Sequence, residues 1–537
     1  MTSTERGAQV VPPVPSQASD QQAPPAPAYH VPAVAEAAWS MGGCRRRTWV
    51  SRAVLLAVLV FQAALSLRLH NTAYQDEAVY LSSGHVQIAH LLHGTPVPTD
   101  YASYFSGSPL LYPVLAALVD ARFGLEGVRL LSLFFMLGAN TLLYAMTRRL
   151  FSERPALAAS ALFAVIPSTI ILGHFATYDA AAVFLLALAA WIIVRTDRAP
   201  LAAVLPAAPV AVLAVGTKYA AGLYLPTLVV LAALVAWPHR GRSSIVRAAL
   251  LVIGVALPLL AGLYFSDVLD GVRLTTTARA HGHDGPRELL WKTAVWSGLM
   301  FLTACGGALA YARRGRLHES PTTARLGVPG RTWRALLGVL LCGTALLAPA
   351  YQIHLATSVA LYKHIGFGLL FAAPMAGVGL TRLVGAHFRF PQLACVLWVA
   401  TLCVGVTKSA EWFHSWPDSS RLNTVLRQHV IPGGGRYLAE SRNTPVYYLR
   451  DITDQTHWSS LYYMAYTDAH GTAHYGKDGY RKALADGWFD MVVLDGVAVP
   501  ELNPVITEAV RSSGKYRLLG SVPFGENNGR FRIWVKR

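Results

Sequence analysis

The chain has 537 residues, 53% hydrophobic and only 14% charged, with a net charge of +17 from 46 Lys and Arg against 29 Asp and Glu. Soluble domains carry about a quarter charged residues, so a soluble fold is excluded over most of the length, and several apolar windows reach the roughly 20 residues that a membrane span needs. The basic excess lies in short links between apolar runs; this is the positive-inside pattern, which sets orientation, and nucleic acid is not an implied partner.

Residues 1–50 open the chain with a Pro- and Ala-rich stretch (VVPPVPSQASDQQAPPAPAYHVPAVAEAA) that lacks hydrophobic periodicity and reads as a disordered cytoplasmic tail. It is too long ahead of the first apolar run for an ordinary cleaved signal peptide. Arg45, Arg46, Arg47 and Arg52 then flank the run 53–69, which puts the N-terminus inside and the first exit outside.

Further apolar runs lie near 109–124, 127–147, 155–173, 179–195, 199–217, 220–237, 245–265, 291–312, 334–351, 364–384 and 391–407. Counting the first as a dip and adding the opening run predicts about eleven transmembrane helices over 51–407. Alternate links carry the arginines (Arg148, Arg149 and Arg154; Arg195 and Arg198; Arg240, Arg242 and Arg247; Arg313 to Arg334; Arg382 and Arg389), and the opposite links carry Asp76, Glu77, Asp100, Asp179, Asp267, Asp270, Asp284 and Glu288. One topology satisfies every loop, with the N-terminus cytoplasmic and the C-terminus extracytoplasmic. The five cysteines (Cys44, Cys305, Cys342, Cys395 and Cys403) lie in the tail or in apolar runs without metal-ligand spacing, so no disulfide framework is implied.

Residues 408–537 change in character. Short β-type runs (RYLAE, VYYLRD, MVVLDG, YRLLGSV, RFRIWVKR) alternate with helical stretches such as 500–512, which predicts a soluble extracytoplasmic α/β domain. It contains no nucleotide fingerprint, no GxSxG and no metal cluster.

The chemistry concentrates in the long first outer loop, 70–108, which carries the adjacent acids Asp76 and Glu77 in HNTAYQDEAVYLSSGHVQIAHLLH. From Asp76 to His93 a helix can be drawn with Val79, Val86 and Ile88 to Leu92 on an apolar side; it would lie in the membrane interface, weakened at Gly84 by roughly 1 kcal/mol relative to Ala. The plain reading of such an acid pair is a helix start that gains from the dipole. Three companions favour chemistry. Asp179 (HFATYDAAAVFLL) begins a span on the same outer side, where an ionisable group is costly, although an N-cap role suits it equally. Lys218 (VGTKYAAGLYLP) and the pair Lys363-His364 (SVALYKHIGFGLL) break the positive-inside trend on that side; Lys218 is either a snorkelling lysine or the partner of a lipid phosphate.

Two carboxylate sites and two basic sites on one membrane face suit sugar transfer from a lipid-linked phosphate. A hydroxyl needs a base as it attacks the anomeric carbon. A departing polyprenyl phosphate needs cationic stabilisation but no acid, and one displacement inverts the configuration.

Over roughly residues 51–385 the chain resembles the GT-C superfamily of integral membrane glycosyltransferases, among them the protein O-mannosyltransferases and the lipid A aminoarabinose transferases. The resemblance is carried in order by QDEAVY, SPLLYPVLAALVDARFGLEGVRLLS, HFATYDAAAVFLL, TKYAAGLYLP and SVALYKHIGFGLLFAAP. It implies Asp76 as catalytic base supported by Glu77, Asp179 as the second acid orienting the acceptor or a divalent metal, Lys218 at the lipid phosphate with Lys363 or His364 for the same task, and a structural Arg129. It also implies a polyprenyl-phosphate sugar donor, a protein, envelope polysaccharide or lipid acceptor, and the outer face of a bacterial cytoplasmic membrane. TKYA lacks the glycine that usually follows the lysine in the aminoarabinose branch, and the C-terminal domain lacks the repeats of the eukaryotic mannosyltransferases, so no particular sugar is implied. A transporter or flippase of lipid-linked sugars is the alternative, but transporters place such charges near the midplane within internal repeats, and here they sit at one edge. A non-catalytic scaffold would leave Asp76, Asp179 and Lys218 without a shared reason.

Overall fold

Apolar runs of this length can satisfy their backbone in lipid only as helices, and they do so here. The computed structural model describes residues 45–265, 268–314, 330–385, 390–525 and 529–537. Of the expected tail, residues 1–44 lie outside the described residues, and the remainder belongs to the first helix, Arg45–Ser66. Among the described residues, eight helices are long and apolar enough to cross a membrane, and the pair Arg331–Thr344 and Leu347–His354, bent by 43°, makes a ninth if counted as one span. The other expected spans are shorter. The run 155–173 is broken into Glu153–Ala164 and Pro167–Leu172 by a proline that cannot donate to the helix ladder, and 201–217 is a short apolar helix with a 3-10 start. The run at 109–124 joins the next one in a single element, Tyr112–Leu150, which kinks at Gly124 (φ 65°, ψ −171°). The chain is a multi-pass helical membrane protein.

The helix Leu361–Val384 forms the axis of the bundle, with every residue from Leu361 to Leu380 buried. Its neighbours turn Phe134, Leu257, Leu302 and Val396 outward, as lipid-facing side chains should be. At one end of the bundle the basic links meet. Arg149 pairs with Asp197 at 2.5 Å, and Arg247 caps the end of the helix Tyr178–Arg195 through Ile193 O (2.6 Å) and Thr196 Oγ1 (2.8 Å). The other end carries the acidic first loop and the C-terminal domain.

In that domain five strands form a mixed sheet in the order β2-β1-β5-β7-β6, with β1 (Tyr437–Ala439), β2 (Trp458–Ser459) and β5 (Met491–Leu494) parallel to one another and β7 (Arg530–Lys536) antiparallel to both its neighbours, β5 and β6 (Tyr516–Pro523). A hairpin, β3 (Ala465–Thr467) with β4 (Ala473–Tyr475), stands apart. Val492 and Leu494 pack into one apolar cluster, while Met491 and Val493 pack into another. Burial on both faces is why MVVL is an unbroken apolar run. The expected strand in VYYLRD is instead the helix Asn443–Tyr448. Pro445 sits in its first turn, where the missing N–H costs nothing, and Tyr447 and Tyr448 are spent on contacts with the helix Tyr112–Leu150 and the first loop rather than on a sheet.

Those contacts seat the domain. Tyr447 donates to Asp120 Oδ1 (2.6 Å), Tyr448 accepts from the Ala73 amide (2.9 Å), and Trp416 Nε1 donates to Thr72 O (2.9 Å). Within the domain Glu440 accepts from the amides of Asp495, Gly496 and Val499 and from Asn503 Nδ2. Burial, with Glu440 alongside, pushes the Asp495 carboxyl up to about 6.

The first-loop helix is Gln75–His93, and its buried residues are Glu77, Ala78, Tyr80 to Gly84 and Gln87, not the expected apolar side: Leu91 and Leu92 are exposed, and Val79 and Val86 only half-buried. Gly84 explains the difference, since a Cβ there would stand 1.9 Å from Pro113 O. Its absence lets the helix lie against the start of Tyr112–Leu150.

Gly84→Ala would gain about 1 kcal/mol of helix propensity, yet the overlap with a backbone oxygen costs more, since overpacking alone runs about 1–3 kcal/mol. A lower melting midpoint in detergent is therefore expected. For Asp495 the folded form favours the proton, so its contribution is full below about pH 4 and is lost as pH rises through about 6. Asp495→Asn is expected to raise the midpoint at pH 7–8 and leave it unchanged near pH 4, read by intrinsic fluorescence across a pH series.

Candidate active site

Glu77 and Asp76 are neighbours with different surroundings. Glu77 is fully buried, and Arg129 grips it with Nε on Oε1 (2.9 Å) and Nη2 on Oε2 (2.8 Å). The Tyr74 amide donates to Oε2 (2.9 Å), which caps the helix start, and the Ala176 amide donates to Oε1 (2.8 Å). Glu77 thus ties the loop bearing Asp76 to the segment leading to Asp179, and its carboxylate faces Arg129, away from the open space. Asp76 has its side chain 36% exposed, with Oδ2 2.5 Å from Lys363 Nζ.

Asp179 lies in the first turn of Tyr178–Arg195; the cap position before that helix belongs to Thr177, so the alternative N-cap role does not apply to Asp179. It is fully buried, with Lys218 Nζ 3.2 Å from Oδ1 and Lys363 Nζ 4.0 Å from Oδ2. Lys218 follows the last turn of Ala207–Thr217 in extended conformation. The first loop fixes it there, with Ser108 N on Gly216 O (2.8 Å) and Tyr219 N on Ser106 O (2.9 Å). Its ammonium also donates to Ser106 Oγ (3.2 Å) and stands 4.4 Å from the centre of the Tyr178 ring. Tyr178 OH in turn bonds Ser106 Oγ and Tyr80 OH, each at 2.7 Å. Burial, with Tyr178 and Asp76 alongside, holds the Tyr80 hydroxyl well above its usual range. His364 is buried, with Nδ1 3.3 Å from Gln352 Nε2 and Nε2 without a hydrogen-bond partner among the described residues.

These groups surround a cavity of about 450 Å³, lined by Asp76, Lys218, Lys363 and His364 together with Tyr74, Tyr80, Tyr178, Arg279 and Tyr351. Asp179 sits behind the two lysines. Of the six residues singled out in the sequence, five converge here and Glu77 faces away. Ser106, Tyr80 and Arg279 were not anticipated. Tyr80 is one turn from Asp76 and could have been found by helical spacing, whereas a loop serine and an arginine among scattered polar residues carry no local signal.

Among the described residues no three His, Cys, Asp or Glu side chains gather as a metal site. A divalent ion bridging Asp76 and Asp179 would have to displace the Lys363 ammonium between them, so this donor set does not fit one.

A family model described as dolichyl-phosphate-mannose-protein mannosyltransferase matches residues 108–264. Among solved structures, the oligosaccharyltransferase of Archaeoglobus fulgidus, crystallised with zinc and sulfate, aligns with a TM-score of 0.52 at 13% identity over 89% of this chain and 72% of that one. The same archaeal enzyme with an inhibitory peptide and a dolichol-phosphate gives 0.51 at 12% identity, over 90% and 74%. The arabinofuranosyltransferase AftD from Mycobacteria gives 0.50 at 14% identity, over 91% of this chain and 40% of that one. No curated protein sequence matches the chain. The fold is that of the GT-C integral membrane glycosyltransferases.

Removing one partner of a buried ion pair costs about 3–5 kcal/mol. Glu77→Gln is therefore expected to lower the melting midpoint and the membrane yield sharply, while Asp76→Asn, at a half-exposed position, keeps both near wild type; size-exclusion and thermal melts in detergent read the contrast.

Proposed function

We propose that the chain is an inverting glycosyltransferase that moves a sugar from a polyprenyl-phosphate donor to a hydroxyl acceptor on the outer face of the cytoplasmic membrane. The observation that carries this reading is a half-exposed carboxylate, Asp76, beside two ammonium groups in one cavity at one end of the bundle. The positive-inside distribution supports that end as the outer one. The similar archaeal oligosaccharyltransferase that holds a dolichol-phosphate supports a lipid-phosphate ligand.

In this mechanism Lys363 holds Oδ2 of Asp76 in place, and the carboxylate accepts the proton of the incoming hydroxyl. The hydroxyl oxygen forms its bond to the anomeric carbon from the face opposite the phosphate. The carbon–oxygen bond to phosphate breaks, and its electron pair leaves on the polyprenyl phosphate. Lys218, a point charge with freely rotating donors, suits that phosphate, and Arg279, across the cavity, can grip it in two places. Asp179 offsets the charge of both lysines and holds them apart. Tyr80 and Tyr178 keep Ser106 and Lys218 oriented.

Asp76→Asn removes the proton acceptor, and a fall of about 10²–10⁴-fold in transfer rate is expected, measured as restoration of the missing envelope sugar in a deletion strain at matched protein levels. Full restoration by the Asn variant would overturn the base assignment. Lys218→Ala is expected to weaken undecaprenyl phosphate binding about ten- to a hundredfold, the loss of one charge-assisted bond, and to lower the melting midpoint as well, because it takes one partner from the buried Asp179.

A further inference from the structure

A second cavity, of about 280 Å³, lies on the other side of Tyr74, between the first loop, the end of the helix Pro391–Phe413 and the C-terminal domain. Tyr74 lines both cavities. A wire of hydrogen bonds runs along its wall. Tyr462 OH donates to Gln75 Oε1 (3.0 Å), Gln75 Nε2 to Ser441 Oγ (3.3 Å), and Ser441 Oγ to Asp495 Oδ2 (2.6 Å). Gln75 immediately precedes Asp76. Trp412 and Trp416 stand in the same wall, and Trp412 Nε1 has no hydrogen-bond partner among the described residues. None of these contacts is used by the donor cavity.

The sheet also marks this place. The chain leaves β1 toward β2 on one side and later returns as β5 on the other. Ser441 and Asp495 follow the carboxyl ends of β1 and β5, where open parallel sheets bind ligands at such a reversal. Both strands are paired on both sides, so neither offers a free edge to an extended peptide at this place. What remains is a set of aromatic faces beside a carboxylate, an amide and a hydroxyl. This suits a molecule with apolar C–H faces and a perimeter of hydroxyls.

Resting on the glycosyltransferase reading, we propose that this second cavity is an acceptor subsite for a carbohydrate. One sugar residue lies against the aromatic walls with its hydroxyls on Asp495, Ser441 and Gln75, and the neighbouring acceptor hydroxyl passes Tyr74 to reach Asp76. The acceptor is thereby a glycan, and the C-terminal domain selects it.

The test uses the full-length protein in nanodiscs and measures two ligands separately. The first is an array of envelope-type oligosaccharides built from mannose, arabinofuranose, galactose and N-acetylglucosamine, with a Ser/Thr-rich decapeptide alongside. The second is undecaprenyl phosphate. A saccharide on the array is expected to bind wild type and to bind Gln75→Ala and Asp495→Asn at least tenfold more weakly, with undecaprenyl phosphate affinity unchanged in both. Lys218→Ala is expected to show the reverse. The unchanged lipid affinity, together with the higher stability expected of Asp495→Asn at neutral pH, separates lost contacts from lost folding. Binding of the peptide but of no saccharide, equal saccharide affinity in the two variants, or no binding to the array would each overturn the subsite. Failure of wild type to bind undecaprenyl phosphate would instead count against the donor reading.

Discussion

The buried pair of Glu77 and Arg129 is the constraint on which the rest of the site depends. An ion pair removed from water loses most of its Coulombic gain to desolvation, and this one is retained where both carboxylate oxygens also take backbone amides, from Tyr74 and Ala176. Those two amides belong to the segments that deliver Asp76 and Asp179. One charge therefore sets the position of two others, and the kinked element that carries Arg129 also receives the first-loop helix against Pro113.

From that anchor, charges are graded by depth. Asp179 is sealed behind Lys218 and Lys363, while Asp76 reaches open space with one oxygen on Lys363. Two ammonium groups near the end of an apolar bundle would be costly alone; the carboxylates of Asp179 and Asp76 offset them, and Arg279 leaves the cavity lining with one positive charge in excess.

The C-terminal domain completes this geometry from above. Its helix Asn443–Tyr448 grips Asp120 and Ala73, and its residues Ser441 and Tyr462 hold Gln75. A domain serving only as a cover would not need to bond the residue next to Asp76. The same contacts make the second cavity a joint product of loop and domain.

Hydropathy and charge alternation determined the helical membrane architecture, because each span must satisfy its own backbone and each link reports its side through its arginines. Charges on the wrong side of that pattern, Lys218 and Lys363, were legible for the same reason: they break a rule with a physical cost. The unbroken apolar run in MVVLDG and the alternation in RFRIWVKR likewise announced the sheet, while VYYLRD misled, since aromatic residues that favour strands were committed to docking a helix. The different fates of Asp76 and Glu77 could not be read from adjacency. Neighbouring residues on a helix point about 100° apart, and which one meets Arg129 and which meets solvent is decided only when distant segments pack. Ser106 and Arg279, far apart in the chain, came to line one cavity, and Ser441 came to meet Gln75 at the other, by that packing alone. The sequence by itself determined which side chains were too costly to be idle; the tertiary structure decided which of them share a cavity, because burial and distance, not residue type, set what a charge can do.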